Sequence, residues 1–229
     1  MRAHWLPDLS IQDSYVLKDE SLHHLVNVIR IEAGEDLLLL NGQGLFVFTQ
    51  VEQISKRELR LKFISSENRT RAFEFDLALA MPKREALELC LKQATELGFR
   101  NIFLIKSQYS QMRVPESDRV EKILVSALEQ SNAPFLPIVS EAQFKDLPFL
   151  QYSEALLLDS QTKISTNMKS TSAHAKLLIV GPEGGFSPEE LAFLHAIDNV
   201  RVLNLPTPIM RTPTALAAGA GIMLESLLK

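Results

Sequence analysis

The run Leu177-Leu178-Ile179-Val180-Gly181-Pro182-Glu183-Gly184-Gly185-Phe186-Ser187-Pro188-Glu189-Glu190 constrains this chain most. Four successive apolar residues ending at a glycine-rich turn predict a strand buried on both faces, as in a parallel sheet. Ser187 then has the chemistry of an N-cap, Pro188 suits the first helical position, and Glu190 completes a capping box. Strand, turn and capped helix in succession point to α/β packing, where ligands sit beyond the carboxyl ends of the strands. Glycines there let backbone amides come close to a ligand. No Lys-Ser/Thr follows, so the turn is not a P-loop, and its glycine spacing is not that of a dinucleotide fingerprint. Glu183 would repel a phosphate. A ligand without phosphate, carrying positive charge, suits this turn; a plain tight turn into a capped helix is the competing structural reading.

Residues Val202-Leu203-Asn204-Leu205-Pro206-Thr207-Pro208-Ile209-Met210-Arg211-Thr212-Pro213-Thr214-Ala215 repeat the theme of strand, loop and helix. Thr212 is the expected N-cap, with Pro213 first in the helix. Arg211 stands beside a helix start, where a cation gains nothing from the helix dipole. That is the placement of a functional or a merely solvated arginine. The helix beyond is rich in small residues, Ala215, Ala217, Ala218, Gly219, Ala220 and Gly221. Interior glycine costs about 1 kcal/mol in a helix, so close packing is expected there, and a dimer interface would fit.

Strand and helix signals alternate from Phe73 onward. Phe73–Ala80, Ile102–Ile105, Ala155–Leu158, Leu177–Val180 and Val200–Leu203 read as strands. Arg84–Leu97, Glu116–Gln130, Ser187–Ala196 and Pro213–Leu228 read as helices, the first closed by Gly98. Before them the pattern differs. A short helix is expected over Ser21–Arg30, and Asn41-Gly42 between apolar runs predicts a hairpin. Glu58–Ile64 alternates like a half-buried strand. The polar run Ser65–Arg71 is the expected linker. The division is therefore a small β-barrel over residues 1–70 and an α/β domain with a mostly parallel sheet over residues 71–229. Cys90 is the single cysteine, so neither an internal disulfide nor a cysteine zinc site is open to the chain. The five histidines lack ligand spacing, and no metal is expected. No apolar run reaches a membrane span and no signal segment opens the chain, so a cytoplasmic location is expected.

Several segments together resemble the RsmE family of ribosomal RNA methyltransferases, which act on uridine N3 of small-subunit ribosomal RNA. They are Gly181-Pro182-Glu183-Gly184-Gly185, Ile209-Met210-Arg211-Thr212 with Thr214-Ala215, and Lys92-Gln93-Ala94-Thr95-Glu96-Leu97-Gly98. His24-Leu25, Val28-Ile29-Arg30, Gly34-Glu35, Gly42 and Glu129-Gln130-Ser131 are similar to that family as well. The resemblance implies a SPOUT-type parallel sheet with a C-terminal trefoil knot and an N-terminal PUA-like barrel that contacts RNA. It implies S-adenosyl-L-methionine as cofactor, a homodimer, and ribosomal RNA within the small subunit as partner. The cofactor residues implied are Leu158, Asp159, Val180, Gly181, Pro182, Gly184, Gly185, Leu203, Leu205, Pro206, Ile209, Met210 and Ala215. Arg211 and Glu183 are the expected catalytic residues, and Arg30, Lys83, Arg84 and Arg113 the expected RNA contacts.

The chain departs from the family at Ser107-Gln108-Tyr109, where Ser-Glu-Arg is usual, and at Ala133 and Phe135, which replace arginines. It departs also at Leu205-Pro206-Thr207-Pro208, where the family reads Leu-Gly-Pro-Arg. Two alternatives stay open: a methyltransferase for another RNA position, and an inactive RNA-binding assembly factor. The formal charge of −4 excludes a polybasic nucleic-acid binder, and the acid excess is equal in the two parts. Basic residues concentrate locally, at Lys56–Lys62 and at Arg100, Lys106 and Arg113.

Overall fold

The computed structural model describes residues 1–110, 115–159 and 175–227, and these form two compact units. The first comprises Met1–Arg71 together with Leu128–Leu136. Its strands are β1 (Arg2–Trp5), β2 (Ser14–Leu17), β3 (Asp36–Leu40), β4 (Leu45–Ile54) and β5 (Leu59–Asn68), in the spatial order β1-β3-β4-β5-β2. β1 runs parallel to β3, and the other pairs are antiparallel. Strand β3 explains its own leucine run. Leu37 and Leu39 pack with Leu25, Val47, Val51, Leu59 and Leu61, whereas Leu38 and Leu40 pack with Ala3, Phe46, Leu128 and Ala133. Both faces of this strand are covered, so neither tolerates a polar residue. β5 shows the contrasting period of two, Leu59 and Leu61 buried and Arg60 and Lys62 exposed.

Two expectations change here. The helix expected over Ser21–Arg30 is the α-helix α1 (Asp19–His23) running into a π-helical turn over His24–Val28. Arg30 lies beyond it in the left-handed region (φ 57), and Ile31 N–H donates to the Leu25 carbonyl at 3.0 Å. This is the closing bond of a helix C-terminus, so Arg30 ends the helix rather than belonging to it. The expected linker is mostly strand, since Ser65–Asn68 extend β5 and pair with β4. Ladder bonds are made by the backbone and need no apolar side chains. Arg69 and Arg71 stack over Phe46 and Phe135, with guanidinium-to-centroid distances of 4.2 and 4.3 Å. Ala133 is buried, and the Phe135 ring lies 3.1 Å from where a Gly44 Cβ would stand. These two positions are packing positions.

The second unit, Ala72–Ala127 and Pro137–Lys229, carries a six-stranded sheet in which every pairing is parallel. Its elements in chain order are β6 (Phe75–Ala80), α2 (Arg84–Glu96), β7 (Asn101–Ile105), α3 (Ser117–Ser131, of which residues 128–131 count with the first unit), β8 (Ile138–Ala142) and β9 (Tyr152–Leu158), then β10 (Ala175–Val180), α4 (Pro188–His195), β11 (Val200–Leu203) and α5 (Thr212–Glu225). The spatial order β11-β9-β10-β6-β7-β8 sets the carboxyl ends of β9, β10 and β11 side by side. Helix α2 ends at Gly98 (φ 77), with Phe99 N–H donating to the Ala94 carbonyl. At the opposite end of the sheet Asp76, 1% exposed, binds the Arg100 guanidinium through both oxygens and accepts from Asn101 and the Tyr152 hydroxyl. A buried carboxylate requires such partners. Among the described residues no helix is long and apolar enough to cross a membrane.

Candidate active site

Loop segments leaving the adjacent ends of β9, β10 and β11, the first described as far as Asp159, border a cavity of about 190 Å³. Leu158 and Asp159 line it from the first loop, Val180–Phe186 from the second, and Leu203–Leu205 and Thr207–Met210 from the third; Leu191, Thr212 and Ala215 complete the wall. Local chemistry fixes each loop. Gly185 takes a positive φ of 72° and its N–H donates to the Pro182 carbonyl, closing the turn. Phe186 folds back on Gly181, where a Cβ would lie 3.2 Å from the ring. The Thr212 hydroxyl donates to the Gly181 carbonyl at 3.1 Å and joins the second loop to the start of α5. Asp159 N–H donates to the Leu203 carbonyl and joins the first loop to the third.

The capping box of α4 is complete. Ser187 Oγ accepts from Glu190 N–H, and Glu190 Oε2 accepts from Ser187 N–H. The same carboxylate accepts Gln108 N–H through Oε1 at 2.9 Å, which ties the Ser107–Ser110 turn to the helix. The N-terminal end of α4 is therefore already neutralised by its own carboxylate. Among the described lining residues the charged ones are Asp159 and Glu183. A phosphate would meet two carboxylates and a satisfied helix end, whereas a cation is welcome.

Glu183 sits at the cavity wall and accepts the backbone N–H of Lys83 at 3.2 Å. Lys83 is the N-cap residue of α2 and makes no side-chain cap of its own; Glu183 reaches its backbone N–H from a distant loop. Its charge also acts on Cys90. Burial, reinforced by the Glu183 charge, pushes that thiol up to about 12. Cys90 is therefore an inert thiol on the buried face of α2.

The structure brings together twelve of the expected cofactor residues: Leu158, Asp159, Val180, Gly181, Pro182, Gly184, Gly185, Leu203, Leu205, Ile209, Met210 and Ala215 all line the cavity. Pro206 does not. Asn204, Thr207 and Pro208, within the expected stretch Leu203–Met210, line it too, and Phe186, Leu191 and Thr212 line it unforeseen; their nearness to the glycine turn and to the third loop was the available signal. The expected cap of α5 is displaced by one residue. Arg211 is the N-cap and Thr212 is helical, because the Thr212 hydroxyl is committed to Gly181. Arg211 is exposed and lies outside the cavity wall. Lys83 and Arg84 are exposed at the start of α2, Arg84 in contact with Glu88 at 3.2 Å. Arg30 stands in the first unit, and Arg113 lies outside the described residues. The small-residue stripe of α5 has an inward use. A Gly219 Cβ would fall 2.7 Å from Leu178 and 2.9 Å from Leu158, so glycine lets the helix press on the sheet.

A parallel sheet with a phosphate-averse cavity at three neighbouring strand ends defines a class, and comparison identifies it. Residues 69–224 match the family model of the RNA methyltransferase domain, and residues 17–64 match the RNA methyltransferase PUA domain. The ribosomal RNA small subunit methyltransferase E of Rickettsia conorii is 30% identical over 209 residues, 86% of this chain and 83% of that protein. The Bacillus subtilis protein of the same name is 27% identical, over 88% of this chain and 86% of its own length. Among solved structures, that of a ribosomal RNA small subunit methyltransferase E from Neisseria gonorrhoeae bound to S-adenosyl methionine superposes with a TM-score of 0.85. It covers 99% of this chain and 98% of that one at 22% identity. The chain belongs to the ribosomal RNA small subunit methyltransferase E family.

Proposed function

We propose that this protein transfers the methyl group of S-adenosyl-L-methionine to N3 of a uridine in small-subunit ribosomal RNA. The observation that carries the reading is the acidic, phosphate-averse cavity in a chain of this family. The donor set fits the cofactor. Asp159 and Glu183 suit a sulfonium cation, and Leu158, Val180, Leu205, Ile209 and Met210 offer apolar surface to an adenosyl group. When bound, the cofactor supplies an already activated methyl group, so the protein's work is positioning and charge stabilisation.

Each residue then has a definite task. The backbone of Gly181–Gly185 and Leu203–Met210 holds the cofactor. Glu183, fixed by the Lys83 amide, keeps a carboxylate at the wall. Arg211, at the mouth of α5, places a permanent cation where negative charge builds on the uracil oxygens as N3 gives up its proton to solvent and gains the methyl. The uridine must arrive unstacked, because N3 lies on its pairing edge. Residues 1–70 form the PUA-like barrel that contacts RNA, and residues 71–229 the methyltransferase domain. Arg30, Lys83, Arg84 and Arg113 meet phosphate. A C-terminal trefoil knot of SPOUT type belongs to the same reading. We further infer a homodimer, consistent with open space around Gly221 on α5.

Calorimetric titration with S-adenosyl-L-methionine, followed by transfer to unmethylated small ribosomal subunits, tests the reading. Binding with transfer supports it. Binding without transfer to any RNA would instead favour an RNA-binding assembly factor.

A further inference from the structure

Tyr109 stands beside the cavity with no task in the mechanism above. Its Cβ lies 3.2 Å and its Cγ 3.7 Å from where a Gly184 Cβ would stand, so the ring rests on the backbone of a residue of the cavity wall. The loop beneath it is held firmly. Gln108 N–H is bound to Glu190, Ser107 N–H donates to Ser110 Oγ, and Ser110 N–H donates to the Ser107 carbonyl. Tyr109 is 43% exposed, and no hydrogen bond engages its hydroxyl among the described residues. Ile209, on the third loop of the same cavity, is 86% exposed. A rigidly mounted aromatic face left open to solvent at a cavity mouth is unusual for a residue with only a packing role. A base taken out of its stack needs a flat apolar partner, and a tyrosine ring provides one for any base.

We propose that the Tyr109 ring is the stacking platform for the target pyrimidine, a positioning role that rests on the methyl-transfer reading. Tyr109 sets how well the unstacked base is held, and the chemistry of transfer belongs to the cavity. The cofactor site does not depend on the ring, because Gly184 meets only its near edge.

The test uses the full chain with Tyr109→Ala, Tyr109→Phe and Tyr109→Trp variants. The steady-state constants for unmethylated small subunits are measured beside calorimetric affinity for S-adenosyl-L-methionine. Tyr109→Ala is expected to lower kcat/KM about tenfold to a hundredfold, chiefly through KM, with cofactor affinity and melting temperature retained. Tyr109→Phe is expected to keep wild-type values, since the face and not the hydroxyl is used. An alanine variant with unchanged KM, or a phenylalanine variant as impaired as alanine, would overturn the proposal. The Tyr109→Trp variant separates this failure from that of the underlying reading. Its added indole fluorescence should be quenched by a short single-stranded uridine-containing RNA, titrated to saturation at low salt, even if no methyl is transferred. Absence of quenching overturns the stacking role, whereas quenching with no transfer by the wild type overturns methylation alone.

Discussion

Arg211 and Glu183 illustrate how a residue's position separates roles that its chemistry leaves open. Glu183 lies within the glycine turn and Arg211 ends the loop after β11, but Glu183 lines the cavity and Arg211 does not. Arg211→Ala should therefore leave cofactor affinity intact and lower kcat by about a hundredfold to a thousandfold, the range for loss of one charge-stabilising donor. Calorimetry beside single-turnover transfer reads the two effects separately. Glu183→Ala should weaken cofactor binding by no more than about fivefold, because an exposed carboxylate contributes at most about 1 kcal/mol. Gly219→Val puts a branched side chain where even one Cβ lies 2.7 Å from Leu178. About 1–3 kcal/mol of stability should be lost, visible as a lower denaturant midpoint. Cys90, raised to about 12, contributes stability that is fully present below about pH 8.5, the ordinary thiol value, and lost as pH rises towards 12. The native thiol should accordingly resist thiol reagents at pH 8 and react on unfolding.

At the scale of elements, much was legible because local rules and tertiary demands agree. The capping box of α4 and the glycine end of α2 stand where the residues put them, since side-chain and backbone bonds within a few residues decide both. The central strands were legible because burial on both faces forces continuous apolar runs. The failures have equally specific causes. β5 runs on through Ser65–Asn68 because its register with β4 is set by backbone pairing, which polar side chains do not reveal. The cap of α5 moved by one residue because the Thr212 hydroxyl serves Gly181, 31 residues away in the chain. The role of Glu190 in holding Gln108 was invisible for the same reason: its partner lies 82 residues off. Ser187→Ala should cost about 1 kcal/mol as an ordinary N-cap loss. Glu190→Ala should cost more and also raise the KM for RNA, because it releases the loop that carries Tyr109. Equal losses of stability and an unchanged KM in the two variants would show that the tether is idle.

For the whole molecule, the net charge of −4 places a limit on how RNA can be held. Basic side chains are present in local groups, and several of them are already committed. Arg69 and Arg71 stack on phenylalanines, Arg100 is bound to Asp76, and Arg119 is paired with Glu88. These four are engaged within the protein, and the acid excess weakens the field around the remaining cations, so naked RNA should bind weakly. Raising salt from about 50 to 200 mM should cost about a hundredfold in affinity if about four phosphates are contacted. Tight binding to naked fragments at physiological salt would contradict this. The central claim is methyl transfer to uridine N3, and its most direct measurement is nucleoside mass spectrometry. Small ribosomal subunits lacking this modification are incubated with the purified protein and S-adenosyl-L-methionine, and their RNA is digested and mapped. The account predicts the appearance of N3-methyluridine at a single position, formed about a hundredfold to a thousandfold more slowly by Arg211→Ala. Methylation of another atom or base, or none while the cofactor binds, would contradict it.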